Sequence, residues 1–531
     1  MPISFAQIPA NIKVPLYWVE VDPSKAGLPT LNLRALLVGT MTPDGTATPN
    51  VPVAIGTQAQ ADEKFGPGSE LARMFKAYYA NNFANEVWGG PVPESTNAAA
   101  ATGTITVTTP PSEAGTINLY IGGQHVACNV GSSDTADEVA TALAAAINAE
   151  YDLPVTAAAA AAVVTLTSTF KSINANDIRV ELSYYGQIGG ERPVTDLVLT
   201  LPAGEHLSGG TGEPDFDNVT GNLIMSMGEM EFEYVAMPYT DSNSLLAWSE
   251  EYGFSDTGRW GWQRQHFGSV FSAKRGQYSD LVTWGLSRND PVISVMAFED
   301  KTPTPMYEMC AAYTAKAQRS LSNDPARPLQ TLQLNKTLPA KLHDRFNFIE
   351  LNSLASSGLA IQKCWDNSGM PQIAREQTTY QLNLYGQGDD AYELVTTLHT
   401  LAKLLRNQRH AITSKYPRHK LANDGTRFGP GQAIVTPGII KAELIAEYRQ
   451  DEWNGLVEDT RNFKKFLLVE RDPNNPNRLN VLYPPDLINQ LRIFAVLAQF
   501  RLQYDRGIDV EIIGYTGLAG IAGPGGARLP F

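Results

Sequence analysis

Cysteine is scarce: Cys128, Cys310 and Cys364 are the whole complement in 531 residues, and no two are spaced as Cys-x-x-Cys. An odd, scattered set excludes a disulfide frame or zinc site, and reads as small buried residues in a reducing compartment. Long apolar runs are missing too. None approaches the roughly 20 residues a membrane span needs, and residues 1–21 lack the basic start and apolar stretch of a signal peptide. The expectation is a protein made in the cytosol, with no membrane anchoring. There is no P-loop, dinucleotide fingerprint, HExxH helix or GxSxG elbow, and the seven histidines are scattered. No catalytic residue, cofactor or metal site is expected, and no enzyme.

Lysine and arginine vanish between Ala77 and Phe170, where Thr, Ala and Gly dominate. The alternation at 104–108 predicts a strand, and runs at 116–121 and 124–130 flank Gly122-Gly123, the signature of a two-residue hairpin. Thr135 with Glu138 predicts a capping box opening an Ala-rich helix to Ala149. Further strands are expected over 163–169, 178–184 and 195–201. Residues 97–208 therefore read as an inserted β-rich domain, and the missing positive charge suggests that it faces outward.

An α/β core is expected on either side, over 23–96 and 209–325. It has strands at 33–39, from 86, at 232–238 and at 292–298, and helices over 243–252 and 304–321. Ser69 predicts a helix cap, with Glu70 in the first turn and Leu71, Met74, Phe75, Tyr78 and Tyr79 as one apolar stripe. A C-terminal α+β domain takes 326–504. Its expected elements are a strand within 375–384, a helix of about 390–411, acidic helices of about 438–452 and 456–466, and a hairpin pairing 479–483 with 491–500. Residues 487–503 are also readable as a helix. Pro2, Pro9 and Pro15 make residues 1–22 an extended arm, and 505–531 form a C-terminal arm with a strand at 508–514. The fold class is thus multidomain, α/β and α+β, with arms at both ends.

Charge is arranged in blocks. Lys403, Arg406, Arg409, Lys415, Arg418 and Lys420 lie in a stretch without Asp or Glu, while Glu443, Glu447, Asp451, Glu452, Glu458, Asp459, Glu470 and Asp472 follow. A net charge of −14 and the lack of interleaved aromatics argue against direct nucleic-acid binding. Two readings stay open: the blocks face each other within one domain, or they meet across subunits and set register.

Residues 415–432 run Lys-Tyr-Pro-Arg-His-Lys-Leu-Ala-Asn-Asp-Gly-Thr-Arg-Phe-Gly-Pro-Gly-Gln. With 481–496, 65–74 and 235–241, this stretch closely resembles the tail sheath proteins of Mu-like contractile-tailed bacteriophages, which have myovirus morphology. The resemblance implies a virion structural subunit that polymerises helically around a tail tube. Contraction of that polymer drives the tube through the host envelope for genome delivery. It implies further copies of the chain, the tail tube protein, and baseplate and tail terminator proteins as partners, with assembly in the bacterial cytoplasm. Sheath subunits exchange terminal strands, so Val14, Leu16, Tyr17, Trp18 and Val19 are expected to pair with a neighbour's sheet near its 479–500 hairpin. Ile508, Val510 and Ile512, or a strand within 491–503, would pair with another neighbour. The six cations from Lys403 to Lys420 are the expected contact with the tube or the next subunit. Two alternatives remain: the sheath of a phage-derived injection particle, or a glycan-binding adhesin using the inserted domain.

Overall fold

The structure, a computed structural model, describes residues 33–218, 221–364 and 369–502. The expected arm at 1–22 and the strand at 508–514 lie outside them. The chain divides after Gln490 into two compact units, and every element named below belongs to the first.

The first strand, β1 (Ala35–Thr40), is buried at every residue, as a strand covered by helices on both faces must be. It is followed by β2 (Val53–Ile55), α1 (Gln58–Phe65), α2 (Glu70–Asn81) and β3 (Val87–Val92). Ser69 caps α2 as its sequence predicts, accepting from the Ala72 N–H at 3.1 Å. Leu71, Met74, Phe75 and Tyr78 are buried beneath that helix.

Next come β4 (Thr102–Thr109), β5 (Gly115–Ile121), β6 (Gln124–Val130), α3 (Ala136–Ala149), β7 (Val155–Ala160), β8 (Val163–Ser168), β9 (Val180–Leu182) and β10 (Val198–Thr200). They form a four-stranded sheet ordered β10-β4-β8-β7 and a three-stranded sheet ordered β6-β5-β9. Gly122 and Gly123 take φ of 54° and 75°, the left-handed pair that the β5–β6 turn requires. The capping box of α3 is present. Strand β7 is not expected from sequence, because alanine has little strand preference; pairing with β8 and packing under α3 hold it in place. Ile105, Leu119, Leu166 and Phe170 of this β-rich segment share one apolar cluster with Leu71, Phe75 and Met309.

The chain then returns through α4 (Leu223–Met227), β11 (Tyr234–Ala236), α5 (Ser242–Tyr252), β12 (Ser269–Gly276), α6 (Tyr278–Leu286), β13 (Ile293–Glu299), α7 (Met306–Asn323), α8 (Phe348–Ser356), β14 (Ala360–Lys363) and β15 (Gln372–Arg375). With β1 to β3 these strands complete an eight-stranded sheet ordered β15-β14-β13-β12-β11-β1-β3-β2. Its inner strands are parallel, and its edge strands β2 and β15 are antiparallel. The order turns at β1: the chain leaves it for β3 on one side and later fills β11 on the other. The strand expected within 375–384 is instead β15, ending at Arg375. Beyond it the backbone bonds scatter, Thr378 N to Glu393 O at 2.8 Å and Thr379 N to Ile293 O at 2.9 Å, so no ladder forms.

The last elements are α9 (Val395–Lys415), β16 (Lys420–Leu421), β17 (Ile434–Val435), α10 (Pro437–Trp453), α11 (Thr460–Phe466), β18 (Leu468–Arg471) and β19 (Leu479–Leu482). Leu404, Val435, Ile440, Leu444, Tyr448 and Phe463 form their core, with the Tyr448 and Phe463 rings stacked 3.7 Å apart. The helix expected over 456–466 starts later, at Thr460, and is capped by Asp459, whose carboxylate accepts from the Asn462 N–H at 3.0 Å. The expected hairpin also needs correcting. Strand β19 pairs antiparallel with β18, and residues 491–502 form no strand or helix. No helix among the described residues is long and apolar enough to cross a membrane.

Candidate functional site

Helix α9 runs through the C-terminal region and touches all three apolar clusters, with Val395, Leu398 and Leu404 each in a different one. Four of the predicted cations, Lys403, Arg406, Arg409 and Lys415, lie on this helix, Arg418 and Lys420 lie just beyond it, and the six divide into two sets by their partners. Arg406 turns inward and pairs with Glu233 at 2.7 Å, while His399 Nδ1 lies 3.2 Å from the same carboxylate. The His399 ring stacks on Tyr234, 5.0 Å away and nearly parallel. Burial pushes the Glu233 carboxyl upward, but Arg406 and His399 outweigh it and hold the group below its ordinary range. Arg406 therefore fastens α9 to the start of β11. Lys415 pairs with Glu443 of α10, whose other oxygen accepts from the Tyr416 hydroxyl at 3.0 Å. For this pair the two charge blocks meet inside one chain. Lys403 is half-buried near Asp451, which is fully buried, accepts from Asn407 at 2.7 Å and is pushed up to about 6 by burial.

Arg409, Arg418 and Lys420 are the other set. All three are exposed, and among the described residues none is in an ion pair; Lys420 donates to Gln432 at 3.3 Å. The loop that displays Arg418 and Lys420 is held by the β16–β17 bridge, with Gly425 and Gly431 at φ of 82° and 76°.

The hairpin β18–β19 follows this loop and α10–α11 in the chain. Two four-residue strands are marginal alone; Val469 and Leu479 anchor them on the core of the C-terminal region. Neither outer edge has a strand partner among the described residues, and Leu468, Val481 and Leu482 are exposed. Farther along the chain, Leu491, Ile493, Phe494, Leu497, Phe500 and Leu502 are each at least 74% exposed. Strand β18 is absent from the sequence expectations. The available signal is Leu467-Leu468-Val469 followed by the turn formers Asn474-Asn475-Pro476-Asn477. The predicted donor residues Val14, Leu16, Tyr17, Trp18, Val19, Ile508, Val510 and Ile512 all lie outside the described residues.

Two segments that carry the family resemblance, 65–74 and 235–241, meet in space. The Tyr239 hydroxyl donates to Glu70 Oε2 at 2.8 Å, and the same oxygen accepts from the Thr40 N–H at 2.9 Å. Glu70 Oε1 accepts from Asn174 at 2.6 Å. Burial raises the Glu70 carboxyl above its usual range despite these donors. Among the described residues no group of three or more His, Cys, Asp or Glu side chains could hold a metal ion.

The chain is 40% identical over 505 residues to the Mu-like prophage FluMu tail sheath protein of Haemophilus influenzae, covering 94% of this chain and all of that one. It belongs to the family of Mu-like phage tail sheath proteins. That is a structural family, not an enzyme family. Residues 387–501, spanning α9, the basic loop and the hairpin, also match the phage tail sheath C-terminal domain. Sheath tail proteins of Desulfitobacterium hafniense and Listeria innocua, each 11% identical, align over 89% and 86% of this chain and 100% and 92% of theirs. Their TM-scores are 0.43 and 0.44.

Proposed function

We propose that the chain polymerises helically around a tail tube and that neighbouring copies complete the β18–β19 hairpin with strands of their own. The observation that carries this reading is the hairpin's pair of open edges, set among exposed apolar side chains and within the matched sheath domain. An extended segment added to such an edge gains main-chain hydrogen bonds and alternate side-chain contacts. Val14, Leu16, Tyr17, Trp18 and Val19 supply one added strand; a second comes from 491–503 or from Ile508, Val510 and Ile512. A contact of this kind is heterologous and does not close, which is what a filament needs. Exchanged strands keep subunits joined while their bodies rotate, so contraction draws on packing energy stored at assembly.

Arg409, Arg418 and Lys420 face the tube or the next subunit, and residues 97–208 act as an inserted domain on the outside. Baseplate and terminator proteins bound the polymer in the virion tail, after synthesis in the host cytoplasm. Negative-stain electron microscopy across a concentration series, with and without the tail tube, tests the reading. Hollow tubes of uniform width are expected from the full chain, and folded but unassembled subunits from a chain lacking residues 1–20. Tubes from the shortened chain would reject strand donation by the arm.

A further inference from the structure

We propose that the eight-stranded sheet carries an anion-binding crevice whose ligand is a carboxylate of the same chain, Asp177. In open α/β sheets, ligands bind outside the carboxyl ends of the strands, and anions favour helix N-termini. Here that edge includes Arg275 near the end of β12 and the N-terminus of α7, an 18-residue helix whose N-cap, Pro305, offers no side-chain cap. Asp177 ends a 3-10 turn, Ile173–Asp177, of the β-rich segment, and it reaches both groups. One carboxylate oxygen lies 2.8 Å from Arg275 Nε, and the other accepts the Met306 backbone N–H. Arg275 is itself held by donating to Thr304 O at 2.9 Å.

The same turn makes a second entry into this edge, through Asn174 on Glu70 at the first position of α2. The hydroxyl of Tyr307, in the first turn of α7, is buried and has no hydrogen-bond partner among the described residues. A guanidinium and a helix N-terminus on one carboxylate form a donor set that a free carboxylate or phosphate would take. Asp177 fills it from within, so the β-rich segment is docked by a ligand-like contact. This inference does not depend on the polymer reading.

The test removes the internal ligand and supplies one from solution. Asp177→Ala in the full chain is expected to melt lower than the wild type. Formate or inorganic phosphate, at constant ionic strength against chloride, should raise its melting temperature saturably by about 2 °C. The wild type and an Asp177→Ala/Arg275→Met double variant should show no saturable response. An Asp177→Ala chain that responds no more than the wild type overturns the proposal, as does a response that survives Arg275→Met. If Asp177→Ala does not fold in chloride, refolding in formate decides: recovery there supports the site, and failure in both salts rejects it.

Discussion

The large sheet ends in strands whose outer edges are occupied. Along β15 runs the segment 331–334, with Thr331 N to Ile373 O at 2.8 Å, Ile373 N to Leu332 O at 3.0 Å and Leu334 N to Pro371 O at 2.8 Å. At β2 the Tyr79 hydroxyl donates to Ile55 O at 3.0 Å. In the β-rich segment the Asn148 side chain donates to Ala157 O at 2.7 Å and its oxygen accepts from Ala157 N at 2.9 Å. It stands where another strand would pair with β7. The hairpin β18–β19 has no such cover among the described residues. Uncovered edges invite strand addition, and soluble proteins block them. The contrast between these three covered edges and the open hairpin is what the proposed strand addition requires.

The largest effect should come from closing the hairpin. The bond from Asp472 N to Arg478 O at 3.0 Å and the register from Leu468↔Leu482 to Arg471↔Leu479 point the Val469 and Val481 N–H groups to the outer edges. Val481→Pro removes one outward donor and leaves the inner rungs intact. Tube formation should be lost by electron microscopy while the urea midpoint barely moves. Normal tubes would mean that this edge is not used.

On the closed side, substitutions should cost stability instead. Glu70→Ala strips a buried acceptor from Thr40, Tyr239 and Asn174. By urea unfolding the loss should be about 3 kcal/mol. A change under about 1 kcal/mol would show that water satisfies these donors as well as Glu70 does.

A smaller effect should separate the two sets of cations. Arg418→Glu with Lys420→Glu touches no ion pair among the described residues, so the fold should stand while assembly weakens, more at low salt than at high. Lys415→Glu instead sets two carboxylates together at Glu443 and should lower stability as well. Equal behaviour of the two variants in assembly and melting would erase the distinction.

Short-range signals make much of the fold legible in the residues themselves. The Ser69 cap, the Thr135–Glu138 box and the Gly122-Gly123 turn each act within a few residues, and each is present. The rest is decided at a distance. Strand β7 is alanine held by β8 and α3, and β15 ends at Arg375 because the backbone beyond it bonds to scattered partners, Glu393 and the first residue of β13, instead of to one strand. The expected hairpin partner, 491–500, has strand-like residues but no partner strand within the described chain, whereas 468–471 has one. At the site, the basic block is visible as charge. Which cations are free is not, because Arg406 finds Glu233, a residue 173 positions earlier, only once the sheet exists.

On α10, bonded to Asn407 of α9, sits a group whose titration should tune the stability of the C-terminal region. Asp451 is fully buried, and burial raises its pKa from 3.8 to about 6. A carboxyl with a raised folded-state pKa adds stability below its unfolded pKa, and that stability drains as pH climbs through the folded value. Between about pH 4 and pH 7 the wild type should therefore lose on the order of 2 kcal/mol relative to Asp451→Asn, which does not titrate. The variant should match the wild type near pH 4 and exceed it at about pH 7.5 in urea unfolding followed at the C-terminal region. Because the group is buried, added salt should leave the gap nearly unchanged. A gap independent of pH would place the Asp451 proton elsewhere and remove this acid-sensitive group from beneath the proposed assembly surface.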